Sequence, residues 1–235
     1  MTERRHVEIE VPGTPEEVWD AIATGPGITA WFMPAEVADG RLTLRHGPGE
    51  EFASPVTASE PPRRFAFDDG SGATEFLVEA QSGSTCVVRI VFSGFGDEGA
   101  EAGWTAALLG LRLYLERFPG REAASIVAGG MVDGPVEAAW AKLLQALEAD
   151  EPVEGERFAA GAPGVPPLAG VVAGRSATTA TLLIDEPGPG IAFLGVGGPG
   201  GDQVFSFLRA QLFGHDRAAV AARDEPVWRA LLPPA

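Results

Sequence analysis

The chain has 235 residues, 45% of them hydrophobic, and sets 33 acidic side chains against 17 basic ones for a formal net charge of −16. That length and apolar content can bury one large or two small cores, which excludes a disordered chain. A field this negative repels phosphate backbones and anionic bilayers. No arginine cluster offsets it and Lys142 is the one lysine, so neither nucleic acid nor a membrane surface is an expected partner. Cys86 is the one cysteine, which excludes an internal disulfide, and its place in a Val-Val-Arg-Ile strand reads as plain core. Residues 1–10 are charged, and no apolar stretch approaches the roughly 20 residues a membrane helix needs, so the expected location is the cytoplasm.

In chain order, His6, Glu8 and Glu10 alternate with Val7, Ile9 and Val11, the period of a half-buried strand. Pro12-Gly13 ends it. Thr14 then stands as N-cap, Pro15 as first helical residue and Glu17 three beyond the cap, a capping box opening a helix with Val18, Trp19 and Ile22. Gly25-Pro26-Gly27 breaks that helix, and a second helical turn with Ile28, Trp31 and Phe32 runs into Pro34. Strands are predicted at 35–38, 41–45, 51–59, 63–68, 73–80 and 85–93, punctuated by Asp39-Gly40, Gly47-Pro48-Gly49, Pro61-Pro62, Gly70-Ser71-Gly72 and Ser82-Gly83. Residues 94–102 read as a loop. A long helix opens at Gly103-Trp104, with Trp104, Ala107, Leu108, Leu111, Leu115 and Phe118 in one stripe.

Past Phe118, residues 123–128 read as helical, Gly129-Gly130 as a boundary, and 135–147 as a helix with Val136, Trp140, Leu143, Leu144 and Leu147 on one face. Residues 150–167 read as loop. Strands follow near 169–173, 179–184, 191–196 and 203–212, then a terminal helix with Val227, Trp228, Leu231 and Leu232. The order of helix, strands and helix thus occurs twice. Gly13-Thr14-Pro15-Glu16-Glu17 before Trp19 compares with Asp133-Gly134-Pro135-Val136-Glu137 before Trp140. The expected division is a domain at 1–120 and a smaller α+β domain at 130–235, read either as a shortened, degenerate repeat or as an unrelated extension.

Several short motifs occur in one order across residues 5–118: Val7 to Val11 with Thr14-Pro15-Glu16-Glu17-Val18-Trp19, then Trp31-Phe32-Met33-Pro34. Glu60-Pro61-Pro62-Arg63-Arg64-Phe65, Thr74-Glu75-Phe76, Ser93-Gly94-Phe95, and Gly103-Trp104 with Leu108, Leu111 and Tyr114-Leu115 follow. This ordered set resembles the START-like (SRPBCC) superfamily, and within it the bacterial relatives of the C-terminal domain of the activator of Hsp90 ATPase. The resemblance implies an α+β helix-grip fold, a seven-stranded antiparallel sheet folded around a long C-terminal helix with an internal cavity. Its members include binders of lipids or polyketides, cyclases and chaperone cofactors, so the fold does not name the activity. Such sequences often carry histidine just before Ser-Gly-Phe; here that position is Phe92, an apolar ring facing the helix.

The residues expected to line the cavity are Trp31, Phe32, Phe52, Phe65, Phe67, Phe76, Phe92, Trp104 and Leu108. His6, His46 and His215 are isolated and give no metal spacing. Asp68-Asp69 reads as turn chemistry, and Gly195 to Gly201 lacks the Lys-Ser/Thr ending of a phosphate loop. No nucleophile elbow is present. These readings imply non-catalytic binding of a small hydrophobic ligand, with no metal and no cofactor. The family resemblance leaves two alternatives: a chaperone-associated or self-associating interaction module, and an enzyme of the cyclase or dehydratase type.

Overall fold

The structure is a computed structural model that describes residues 4–47, 50–68, 70, 72–94, 97–198 and 203–232. The chain divides into two compact units, residues 1–122 and 123–235. The first contains β1 (Arg5–Pro12), α1 (Pro15–Ala23), α2 (Gly25–Trp31), β2 (Ala35–Ala38), β3 (Arg41–Gly47), β4 (Glu50–Glu60), β5 (Arg64–Asp68), β6 (Ala73–Ala80), β7 (Thr85–Ser93) and α3 (Asp97–Arg117). Its strands form one antiparallel seven-stranded sheet in the order β1-β7-β6-β5-β4-β3-β2, with α3 packed on β1 and touching α2.

Local chemistry fixes the entry to this unit. Glu17 N–H donates to Thr14 Oγ1 at 3.3 Å and Thr14 N–H to the Glu17 carboxylate at 2.8 Å, closing the capping box. Thr24 ends α1 and then caps α2, its hydroxyl accepting from Gly27 N–H at 3.1 Å, so Gly25-Pro26-Gly27 stands at the break and forms the first turn of the next helix. Gly27 lies so close to α1 that a Cβ there would sit 1.9 Å from the Asp20 carbonyl oxygen. The bulky Trp31 is 1% exposed and donates its indole N–H to the Ala21 carbonyl at 2.9 Å.

The second unit contains β8 (Ala124–Asp133), α4 (Val136–Leu147), β9 (Arg157–Ala160), β10 (Leu168–Arg175), β11 (Thr179–Glu186), β12 (Gly190–Gly197), β13 (Gln203–Leu212) and α5 (Arg217–Leu231). Its sheet runs β8-β13-β12-β11-β10-β9. The first strand therefore pairs with the last, as β1 pairs with β7, and the others meander away from that pair. The terminal helix packs on the first strand in both units. The second unit is the same path one strand shorter, with α4 alone where the first has α1 and α2.

Four expectations need correction. The long helix begins at Asp97, not Gly103, so most of the expected 94–102 loop is its first turns. Residues 123–128 are not helical, because β8 begins at Ala124 and the second unit at Ala123 rather than 130. Gly129-Gly130 is mid-strand. A Cβ on Gly129 would meet the Phe205 ring at 2.8 Å, so this glycine admits an aromatic ring across the sheet and marks no boundary. The 150–167 loop contains β9, whose pairing with β10 sets Phe158 opposite Gly170. Among the described residues, no helix is long and apolar enough to cross a membrane.

Candidate functional site

In an antiparallel sheet, directly opposed residues share a face, so the register identifies the inward set. Phe67 on β5 stands opposite Thr74 on β6, and Thr74 opposite Phe92 on β7. Phe65, Phe76 and Ile90 form the next row. This face meets α3, because Phe76 packs edge-on against Trp104 with ring centroids 6.1 Å apart. The rings continue as a contiguous set: Trp19 with Phe65, Phe65 with Phe67, Phe67 with Phe76, Phe76 with Trp31, and Trp31 with Phe32. Phe32 finally stacks on Trp104 at 5.6 Å with 22° between the planes.

The strand ends locate one end of this set. Gly47 and Glu50, Asp68 and Gly70, and Ser93 with the start of α3 all fall at the end of the sheet where β1 begins. The C-terminal end of α2 comes to the same end, because Ala35 begins β2 opposite Leu44 near the tip of the β3–β4 hairpin. Thr29 ties α2 there, donating its hydroxyl to Gly25 O at 2.8 Å and accepting from Ala35 N–H at 2.9 Å. Phe32 and Trp104 keep partial exposure at this end. Phe65, Phe67, Phe76, Phe92, Trp31 and Leu108 lie buried behind them, between 1% and 9% exposed.

Of the nine residues expected to line a cavity, six (Trp31, Phe32, Phe65, Phe67, Phe76 and Trp104) belong to one set of touching rings, Phe92 stands in register with Thr74, and Leu108 is buried on α3. Phe52 is 56% exposed. It stands on the inward face, opposite Leu44, but nearer the hairpin tip than Leu42 and Ser54, which are buried. Strand period placed its face correctly; how far the sheet extends past its helix decided its exposure.

Thr74 was not singled out as a site residue, yet it is the most unusual group on this face. It is 1% exposed, and its hydroxyl has no hydrogen-bond partner among the described residues. Strand alternation through Thr74, Phe76 and Val78 carried the signal, since all three point inward. Among the described residues, two further polar side chains stand near this end, Ser54 on β4, 7% exposed, and the partly exposed Arg5, opposite Phe92. Tyr114 is buried in the C-terminal half of α3; burial pushes its phenol up, against a hydrogen bond from the Gly120 backbone, so it stays protonated at neutral pH.

The remaining expected polar positions do not join this set. Cys86 is fully buried, its Sγ 3.5 Å from Gly13 O, and burial pushes the thiol up, with Glu16 and Glu17 adding to the effect. It is core, not a nucleophile. His6 and His215 are exposed. The side chain of His46, Asp69, and Pro199 to Gly201 of the glycine-rich run lie outside the described residues. Gly195 to Gly197 end β12, so that run follows a strand and precedes another, without the helix a phosphate loop needs. Among the described residues, no group of three or more His, Cys, Asp or Glu could hold a metal ion. The second unit bears a separate shallow groove of about 270 Å³ between Pro163, Val165 and Pro166 and the Val227 and Leu231 side of α5.

No family model and no curated protein matches the chain. Solved structures resemble it in fold. A conserved protein of unknown function from Enterococcus faecalis is 18% identical, covering 49% of this chain and 72% of its own, with a TM-score of 0.45. The Aha1 dimer from Colwellia psychrerythraea is 18% identical, covering 50% of this chain and 99% of its own, with a TM-score of 0.44. DynU16, from the dynemicin biosynthetic locus, is 19% identical and covers 97% of this chain and 96% of its own, with a TM-score of 0.42.

Proposed function

We propose that the first unit binds a small hydrophobic molecule at the Phe32–Trp104 end of its helix grip and performs no chemistry on it. The observation that carries this reading is the stacked Phe32–Trp104 pair, partly exposed above a buried floor of Phe67, Phe76 and Phe92. A stacked aromatic pair left partly in water can bury further apolar area when a flat molecule settles on it, at roughly 25 cal/mol per Å². Among the described residues, the polar side chains on this face near that end are two hydroxyls and a guanidinium, none of them a general base at neutral pH. Such a set orients a ligand without moving its protons.

The test is titration of the full chain with N-phenyl-1-naphthylamine, a neutral apolar dye suited to a protein of net charge −16. A rise in dye fluorescence saturating near one molecule per chain is expected, and Trp104→Leu should weaken it. No saturable binding, or binding that ignores Trp104→Leu, removes the proposal.

A further inference from the structure

We infer that the last turns of α5, beyond Pro226, are a strap that closes the free edge of β8, with Arg229 as its clasp, and that the partner it keeps off is a second copy of this chain. The inference is independent of ligand binding in the first unit. Sheet edges carry unpaired N–H and C=O groups that another strand can join, and proteins guard them with short strands, charges or proline. Among the described residues, four strands stand at a sheet edge: β1 and β2 in the first unit, β8 and β9 in the second. Three have ordinary guards. β2 and β9 are four residues long and carry Glu36 and Arg157 respectively, while β1 carries Arg5, His6, Glu8, Glu10 and Pro12. β8 is the exception. It is ten residues long, Ala124 to Val132 hold neither charge nor proline, and its pairing with β13 runs without a bulge.

The guard for β8 comes from elsewhere in the chain. Arg229 donates its Nε–H to Val127 O at 3.0 Å, and its Nη2 is held by the Glu225 carboxylate one turn back. Backbone groups in an antiparallel pair point alternately toward the partner and away from it. Because Val127 O is taken by Arg229, the odd-numbered residues from Ser125 to Met131 turn theirs to the free edge, and the even-numbered ones bond β13. A second strand would have to displace a guanidinium from the middle of that row.

Pro226 makes the clasp a separable part. It stands inside α5 with no N–H for the Ala222 carbonyl, which weakens the helix ahead of its last turns. Those turns then depend on tertiary anchors, the buried Trp228 and the bond from Arg229. A second copy suits the edge, because a strand that meets itself antiparallel about a two-fold axis offers matching donors and acceptors. In a chain of net charge −16, residues 124–132 bring no like charges face to face.

The experiment is size-exclusion chromatography with light scattering on the full chain over a range of concentrations, joined to hydrogen exchange. Arg229→Ala should raise the dimer fraction above that of wild type. Adding Met131→Pro should remove the gain, since this proline deletes an N–H on the free edge and leaves the ladder to β13 intact. In Arg229→Ala the amides of residues 230–232 should exchange about tenfold faster, the loss expected for one charged hydrogen bond, while those of residues 220–224 stay within about twofold. Glu225→Gln, which loosens the guanidinium and keeps the Val127 bond, should shift both readings the same way by less, and replaces Arg229→Ala if that variant does not fold. No gain in dimer, or a gain that survives Met131→Pro, overturns the inference. Equal acceleration along all of α5 overturns it too, because the helix then opens as one piece.

Discussion

The two units trace nearly the same path and fill it differently. In both, the first strand pairs with the last and the terminal helix lies on the first strand. The first unit fills its interior with a run of mutually touching aromatic rings that reaches the partly exposed Phe32 and Trp104. The second is packed with aliphatic side chains, including Leu143, Leu147, Leu182, Leu194 and Leu208, between buried Trp140 and Trp228. Aliphatic side chains fill a core by interdigitation, whereas aromatic rings fill it by edge-on and stacked contacts. Side-chain identity, more than chain path, is what distinguishes the two interiors.

The starts of the units differ in the same spirit. Thr14 caps α1 with its side chain, whereas Pro135 at the start of α4 has no side chain that can cap. Trp140 instead donates its indole N–H to the Glu151 carboxylate at 3.1 Å, and Arg175 meets the same carboxylate at 3.2 Å. The second unit thus anchors its helix by tertiary contacts where the first uses a local motif.

The largest effects should come from one glycine in each unit. A Cβ on Gly27 would sit 1.9 Å from Asp20 O, and one on Gly170 2.2 Å from Leu183 O, both backbone atoms that cannot swing away. Alanine at either position should cost about 3 kcal/mol or more, read from the denaturant midpoint. A loss under about 1 kcal/mol at one of them would show that unit to be the more loosely built.

Next, Trp228→Ala should cost about 3–5 kcal/mol, because Trp228 is 1% exposed in the second core, and leave dye binding unchanged. Trp104→Ala should cost less in stability, since the ring is partly exposed, and abolish most dye binding. The reverse pattern would move the binding surface to the second unit.

Smaller and opposite in sign is the effect of removing orphaned hydroxyls. Thr74→Val in the first unit and Ser206→Ala in the second should each raise stability by about 1 kcal/mol in thermal melts without ligand. A destabilised Thr74→Val would reveal a partner for the hydroxyl. Cys86 should resist iodoacetamide at pH 8 in the folded chain and react on unfolding, because burial raises the thiol and keeps the thiolate scarce. Prompt labelling of folded protein would show that β1 and β7 separate readily. Last, Phe52→Ser should stay within about 0.5 kcal/mol of wild type, as suits a side chain 56% exposed.

Much of the first unit is legible in the sequence because its signals are local. The capping box of Thr14 and Glu17, the alternation in Val7 to Val11 and the turns at Asp39-Gly40 and Ser82-Gly83 depend on neighbours a few residues apart. The beginning of α3 is not legible, since Asp97 to Ala102 carry no apolar stripe and become helical as the first turns of a helix whose later turns are packed. Residues 124–128 mislead for the converse reason: Ala and Ser dominate, and pairing with β13 makes them a strand. Alternation alone brought Phe67, Phe76 and Phe92 to one face, but not the exposure of Phe52 or the isolation of the Thr74 hydroxyl. Both depend on what stands across the sheet and on where the helix stops covering it.

By itself, the sequence determined most of the element order of the first unit, the face of its strands and the net charge, because these follow from period, turn chemistry and summed ionisation. The tertiary structure decided that the second unit repeats the first path one strand short, that Gly129 admits a ring instead of ending a domain, and that one threonine hydroxyl is buried among phenylalanines. Those features belong to pairs of residues far apart in the chain, and only strand register brings such pairs together.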